Sequence, residues 1–340
     1  MCGVVCFVVT DPSDDTAVLE RLIDYWTPLA VRALAEAGVF AAFGTEPHRV
    51  DEIADAVGVD AATLGRFLRT VGTAGVVEDA GDGRLRLTAL GLRLVPGTTR
   101  SLSGLANLKP FELHAWAEAA HSLRTGDPAF PVHHGTTLFE WLAVHPRQAA
   151  HFDAGMRART GTLLDIGLPA ITWPLEGTIV DIGGGSGHLL QRVLADRPGL
   201  RGVVFDLPHV IDGAREQLPS ELDGRVEFVA GSFFDGVPGG AEMYVMSNIL
   251  HDWPDHDALR ILHRIRAAIP PTGTLRLFES VLDDASLTGL GVQLDLHMLV
   301  VLGAKERTAQ EWRTLLQDGG FHLDNIQLTP GLSWLDAATT

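Results

Sequence analysis

The sequence predicts an α/β protein in which a doubly wound, mostly parallel sheet is preceded by an all-helical domain carrying a winged module. Three observations predict it. Five short apolar runs, Thr178–Asp181, Gly202–Asp206, Val226–Ala230, Met243–Ser247 and Thr274–Glu279, end in or near polar residues and are separated by helical patterns, which is the texture of a βαβ series. The first run leads into Gly183-Gly-Gly-Ser-Gly187, a strand-to-helix turn that lets a ligand approach the backbone. Before Trp173-Pro174 the texture is different, mainly helical with a short two-stranded wing. The expected domains are residues 1–165 and 166–340.

At 340 residues, with 46% hydrophobic and 20% charged residues, the chain has the composition of an ordinary globular protein and not of a disordered one. A formal net charge of −17 argues against nucleic acid, whose binding rests on many Lys and Arg contacts to phosphate. A small-molecule or protein partner is expected. The two cysteines, Cys2 and Cys6, supply neither a disulfide framework nor a zinc set, and they fit a reducing cytoplasm. The apolar opening Met1–Val9 lacks a basic flank and is followed by Asp11, Asp14 and Asp15, so it reads as a frayed or strand-like tail in preference to a signal peptide. No run reaches the roughly 18–20 apolar residues of a membrane span.

From Ala17 to about Phe43, Leu19, Leu22, Ile23, Trp26, Leu29, Leu34 and Ala37 recur at helical spacing; Pro28 interrupts the run and Gly38 ends it. This kinked pair carries more apolar surface than a small neighbour would cover, and a second subunit, in a homodimer, is the economical partner. Val50–Gly58 and Asp60–Val71 then read as two short helices, and Gly75–Thr88 as two strands around Gly81-Asp-Gly83, together a winged helix-turn-helix. Its acids Asp51, Glu52, Asp55, Asp60, Glu78, Asp79 and Asp82 outnumber its arginines, which favours a packing module over a DNA reader.

Residues 101–168 are helical and rich in aromatics and histidines, with a breaking loop at Gly126–Gly135. The histidines include His114, His121, His133, His134 and His145, without a His-x-x-x-His pair, and lining for an aromatic pocket is better supported than a metal site.

A nicotinamide-type turn wants G-x-G-x-x-G, but His188 occupies the last position; the segment fits Asp181-x-Gly183-x-Gly185-x-Gly187 instead. Asp206, 25 residues after Asp181, ends the second strand where a carboxylate can accept hydrogen bonds from two ribose hydroxyls. The pair points to an adenosine-containing ligand without a pyrophosphate. After the fourth strand comes Asn248-Ile-Leu-His-Asp-Trp-Pro254, which sets His251 beside that cleft as a neutral imidazole able to take a phenolic proton, with Glu279 and Glu306 as carboxylates that could orient it.

These residues resemble the S-adenosylmethionine-dependent O-methyltransferases of the plant caffeate and bacterial polyketide type. The resemblance spans nearly the whole chain, through Val180–Gly187, Leu250-His-Asp-Trp253, Lys305-Glu-Arg-Thr308, Glu311-Trp312 and Gly319-Gly-Phe321. It implies a Rossmann-like methyltransferase domain, a homodimer formed through the helical domain, and S-adenosylmethionine as cofactor, with S-adenosylhomocysteine as product. In cofactor binding it implies Asp181, Gly183, Gly185 and Asp206 for the amino-acid and ribose parts, Ser232 and Phe233 about the adenine, and Ser247 at the methionine end. His251 matches the general base, Glu279 and Glu306 its flanking acids, and Met156, Asp252, His297 and Met298 the side of a small aromatic acceptor, a polyketide or phenol.

One departure is Gly231-Ser-Phe-Phe234, where the family usually has Gly-Asp-Phe/Met-Phe; Ser232 can hydrogen-bond adenine but brings no charge. Two other readings stand beside this one. Some relatives of such enzymes bind the cofactor yet act as hydroxylases, decarboxylases or pericyclic cyclases, and a winged-helix regulator sensing a metabolite would use the same domains, though it needs a basic surface.

Overall fold

The computed structural model describes residues 15–98, 101–106, 109–153, 155–156, 168, 171–283, 290–329 and 333–340. The N-terminal tail with Cys2 and Cys6, and the expected boundary at 165/166, lie outside them. The chain forms two compact units, Met1–Leu108 and Lys109–Thr340. No helix among the described residues is long and apolar enough to cross a membrane.

The first unit opens with helices α1 (Asp15–Ile23), α2 (Trp26–Glu36) and α3 (Val39–Phe43). The interruption falls at Asp24 and Tyr25 and not at Pro28. Asp24 Oδ1 accepts the backbone N–H of Trp26 at 2.7 Å and of Thr27 at 3.3 Å, so a new helix starts there. Pro28 sits in its first turn, where a missing N–H costs nothing. Gly38, at φ 76°, does not end the helical region but turns the chain into α3. Strand β1 (His48–Arg49), helices α4 (Val50–Val57) and α5 (Ala61–Thr73), and strands β2 (Val77–Gly81) and β3 (Arg84–Leu87) follow, the strands forming an antiparallel sheet of order β1-β3-β2. Asp60 begins α5 by accepting the Thr63 N–H at 2.8 Å, and the β2–β3 turn places Asp82 and Gly83 at φ 53° and 70°. Phe40, Phe43, Ile53, Leu64, Leu68 and Val71 form the core.

The second unit begins with helices α6 (Pro110–Ala117), α7 (Ala119–Thr125), α8 (Phe130–His134) and α9 (Leu138–Ala143). Helix α8 lies inside the segment expected to be a loop: Pro131 fits its first turn, and Gly135 at φ 75° closes it. Phe111, Ala115, Phe130 and Leu138 pack with Val300 and Val301.

Strands β4 (Glu176–Ile182), β5 (Gly199–Asp206), β6 (Val226–Ala230), β7 (Met243–Ser247) and β8 (Thr274–Glu279) pair in parallel, alternating with α10 (His188–Ala195), α11 (Pro208–Arg215) and α12 (Asp255–Ala268). A two-stranded parallel pair, β9 (Val281–Leu282) with β10 (Arg307–Thr308), flanks helix α13 (Leu290–Leu302), and α14 (Ala309–Asp318) follows. Strands β11 (Phe321–Gln327) and β12 (Ser333–Thr339) complete a seven-stranded sheet of order β11-β12-β8-β7-β4-β5-β6, with β12 antiparallel to both neighbours. The α/β class and the five strands thus match the sequence reading, while β11 and β12 are additions to it.

Side chains alternate between the two faces as the strand period demands. Val180, Ile182, Tyr244 and Met246 enter one core with Ile261, Leu262 and Trp312; Ile179, Met243 and Val245 enter the other with Leu190, Val193 and Phe228. Chain order reverses between β4 and β7, the switch point at which open α/β sheets take ligands. At that point lies the glycine turn. Gly183, at φ 68°, would put a Cβ 2.5 Å from Ile249 Cδ1, whereas Gly185, at φ 57°, has nothing within 4 Å of that position.

Gly183→Ala is therefore expected to destabilise the protein by about 1–3 kcal/mol, and Gly185→Ala by only about 1 kcal/mol from the backbone conformation. Urea unfolding midpoints of the two variants measure the difference; equal midpoints would contradict the packing account.

Candidate active site

Beyond β4, the N–H groups of Gly183 and Gly184 donate to Phe205 O at 2.8 and 3.3 Å, which ties the turn to the neighbouring strand. Asp206 ends that strand and is gripped from both sides. Its Oδ2 accepts the Gly185 N–H at 2.8 Å and its Oδ1 the Leu207 N–H at 2.7 Å. Burial nevertheless raises its carboxyl above the usual range, the two N–H groups opposing. Asp181 lies deeper, 1% exposed, with Oδ2 lacking a hydrogen-bond partner. Burial first, and the Asp206 charge second, push it up to about 7.

These groups border a cavity of about 530 Å³, whose lining includes all seven residues expected to hold the cofactor: Asp181, Gly183, Gly185, Asp206, Ser232, Phe233 and Ser247. Phe233, Phe234 and Trp253 meet edge to face with centroids 4.8–5.8 Å apart, and Phe139 stacks on Trp253 at 5.2 Å. Ser232 Oγ accepts the Phe234 N–H at 3.2 Å and keeps its own hydroxyl proton to donate. Of the four acceptor-side residues, Met156 and Asp252 line the cavity; His297 and Met298 do not. His297 instead accepts the Trp116 Nε1–H at 3.0 Å, and Met298 is 5% exposed.

His251, Glu279 and Glu306 form a second cluster behind Asp252, each at most 1% exposed. His251 Nδ1 pairs with Glu306 Oε1 at 2.8 Å, and Nε2 stands 3.4 Å from Asp252 Oδ1 without a hydrogen bond. Glu279 Oε1 accepts the N–H of Ile249 at 3.2 Å and of Leu250 at 2.9 Å, fixing the segment that leads to the histidine. The acids around the ring work against the neutral imidazole expected from the sequence. Burial lowers the His251 pKa, but Asp252, Glu279 and Glu306 outweigh it and raise it to about 9. Glu279 is itself pushed up to about 7, chiefly by burial, against the His251 charge.

Two further residues shape the site. Asn248 is a non-glycine residue at φ 53°, 7% exposed, in the cavity wall, with its N–H donated to Phe278 O at 2.8 Å. Asn tolerates this conformation better than most residues, and its place directly after a strand was the only signal in the sequence. Arg307, fully buried, donates to Leu250 O and Trp253 O at 2.9 Å each and to Asp255 Oδ1 at 2.8–3.0 Å, pinning the segment that carries His251 and Asp252. Its motif neighbours drew notice in the sequence, but an arginine acting through backbone carbonyls has no spacing signature.

The cavity suits a ligand that brings hydroxyl donors to Asp206, a flat ring to Phe233 and Trp253, and a positive charge to the unpartnered Asp181 oxygen. Comparison with known proteins identifies the family. Residues 116–322 match the family model described as O-methyltransferase domain. The phenazine O-methyltransferase of Lysobacter antibioticus is 35% identical over 94% of this chain and 95% of its own, and the O-demethylpuromycin-O-methyltransferase of Streptomyces alboniger 38% over 85% and 79%. An O-methyltransferase from neocarzinostatin biosynthesis, solved in complex with S-adenosylmethionine and 2-hydroxy-5-methyl naphthoic acid, superposes with a TM-score of 0.81 at 34% identity, covering 95% of this chain and 98% of that one. The chain belongs to the S-adenosylmethionine-dependent O-methyltransferase family.

Proposed function

We propose that this enzyme methylates a hydroxyl of a planar aromatic secondary metabolite, a phenol or polyketide, with His251 as the general base. One observation carries the reading: a single cavity is bounded by the glycine turn and Asp206 on one side and by Phe139, Phe152 and Met156 on another, with Asp252 in its wall and His251 directly behind. Relatives named for phenazine, O-demethylpuromycin and 2,7-dihydroxy-5-methyl-1-naphthoate point to the same acceptor class.

S-adenosylmethionine, when bound, supplies an electrophilic sulfonium methyl group. Asp206 would accept from the ribose hydroxyls with the lone pairs its two N–H partners leave free. Ser232 and Phe233 would hold the adenine, and Ser247 with the turn at Gly183 and Gly185 the methionine end. The aromatic wall aligns a flat acceptor, and alignment of this kind supplies roughly 7–11 kcal/mol in favourable cases. Glu306 holds Nδ1 of His251, leaving Nε2 as the atom that takes the hydroxyl proton. The intact His251, Glu279 and Glu306 cluster supports methyl transfer over the non-methylating chemistries.

For the first unit we propose a winged-helix packing module and a homodimer contact. Leu22 and Ile23 of α1 are 75% and 77% exposed, with Tyr25 and Trp26 beside them, a patch that a second copy would cover. Arg49, Arg84 and Arg86 are paired with Asp51, Glu52 and Glu78 at 2.7–3.2 Å, which leaves them poorly placed for phosphate.

Incubation with S-adenosylmethionine and a panel of phenols should release S-adenosylhomocysteine, and His251→Ala should lose about 10²–10⁴-fold in turnover while still binding cofactor; full turnover in that variant sinks the base assignment. Because the imidazole holds its proton up to about 9, the basic form grows as pH rises, so kcat/KM for an acceptor that stays protonated should climb between neutrality and about pH 9. Glu306→Gln removes one carboxylate and should move that limb to lower pH; a limb unmoved by the substitution would exclude the pairing as its cause. Leu22→Asp with Ile23→Asp should convert a dimer to a monomer in light scattering, and an unchanged mass would reject this contact.

A further inference from the structure

Three histidines from two helices meet on the second unit, away from the cavity lining. His114 comes from α6, His133 and His134 from α8, and one ring nitrogen of each lies within 4.8 Å of the others. The ring centroids of His114 and His133 are 4.2 Å apart, and those of His133 and His134 4.7 Å.

His134 is held as a metal ligand would be. Its Nε2 lies 3.0 Å from the carbonyl oxygen of Phe111. A carbonyl only accepts, so the proton is on Nε2 and the lone pair on Nδ1. Metal-binding histidines almost always make this outer hydrogen bond, which fixes the tautomer and the ring. Stacking on the fully buried Phe130 at 4.2 Å, with Trp141 at 5.0 Å, holds the ring further. His114 and His133, in contrast, are exposed. Nitrogens bound tetrahedrally to one zinc ion sit roughly 3.3 Å apart. Turning the two exposed rings closes that gap without repacking a core.

We propose that His114, His133 and His134 form a binding site for a borderline divalent cation of the zinc class, held by three imidazole nitrogens with its fourth position open to water. Neutral imidazole donors suit zinc, nickel and copper, whereas magnesium and calcium prefer oxygen. The ion would bridge α6 and α8. Each of these is also tied to α13, α6 through the Trp116 to His297 hydrogen bond at 3.0 Å and the start of α8 through the Ala129 N–H to Val300 O at 2.8 Å. A bound cation therefore clamps the helical layer, and its effect is on stability and not on the methyl-transfer chemistry.

The test is titration of the chelator-treated full chain with zinc chloride by calorimetry, and with cobalt(II) by visible absorption. One saturable equivalent per chain, a cobalt spectrum of four-coordinate intensity and a rise in Tm with zinc are expected. His114→Ala and His133→Ala, both at exposed positions, should each weaken binding by roughly tenfold or more and abolish the Tm rise, with circular dichroism unchanged. His322→Ala, on an exposed part of β11, should leave all three readouts intact. The absence of a saturable equivalent at micromolar zinc, or binding that survives both substitutions, overturns the site.

Discussion

Carboxylates held out of water at the carboxyl edge of the parallel strands are the constraint on which the rest of the site depends. Asp181 and Glu279 lie in or at the ends of β4 and β8 at 1% and 0% exposure, Asp206 ends β5, and Glu306 joins them from the segment after α13. An ionised acid in such surroundings costs several kcal/mol unless donors surround it. Asp206 gathers the N–H groups of Gly185 and Leu207, Glu279 those of Ile249 and Leu250, and Glu306 the ring of His251. Each of these bonds also fixes a loop. The glycine turn, the histidine segment and the end of β5 take their places partly because buried acids need their donors.

What the sequence reveals follows from which forces act locally. The five parallel strands were legible because strands buried on both faces need continuous apolar runs, and positive φ at Gly183, Gly185 and Gly187 agrees with the reason glycine stands there. Strands β11 and β12 were not, since β11 lies at a sheet edge, where exposed residues such as His322, Asp324 and Asn325 dilute the pattern. Pro28 drew the helix break to itself because a proline is conspicuous, while the side chain of Asp24, two hydrogen bonds' worth of helix start, decides it.

In the site, residues within one motif or at the end of one strand converge on the cavity as expected. Those placed by a whole helix are harder to read. His297 and Met298 sit on α13, where a rotation of 100° per residue separates a lining position from a packed one, and there His297 meets Trp116 instead. The protonation of His251 was equally hidden. A histidine beside two glutamates reads as an oriented base, but its charge state depends on how dry all the partners are, and dryness is a tertiary property.

That dryness also governs what the cleft prefers to hold. Asp181, Glu279 and Glu306 each keep a buried oxygen without a hydrogen-bond partner, so the acids are not fully compensated by the chain itself. In water, at physiological salt, charges more than about 8 Å apart are screened, and the net charge of −17 spread over the surface contributes little to selectivity. Buried acids are screened far less. Of the three acids only Asp181 lines the cavity, and a ligand that brings a positive charge to its unpartnered oxygen would be favoured there over an otherwise similar neutral one. A sulfonium donor differs from the thioether it becomes by a methyl group and a positive charge, and the charge is the part that a carboxylate such as Asp181 would read, while Glu279, Glu306 and Asp252 act on the His251 proton behind the cavity wall.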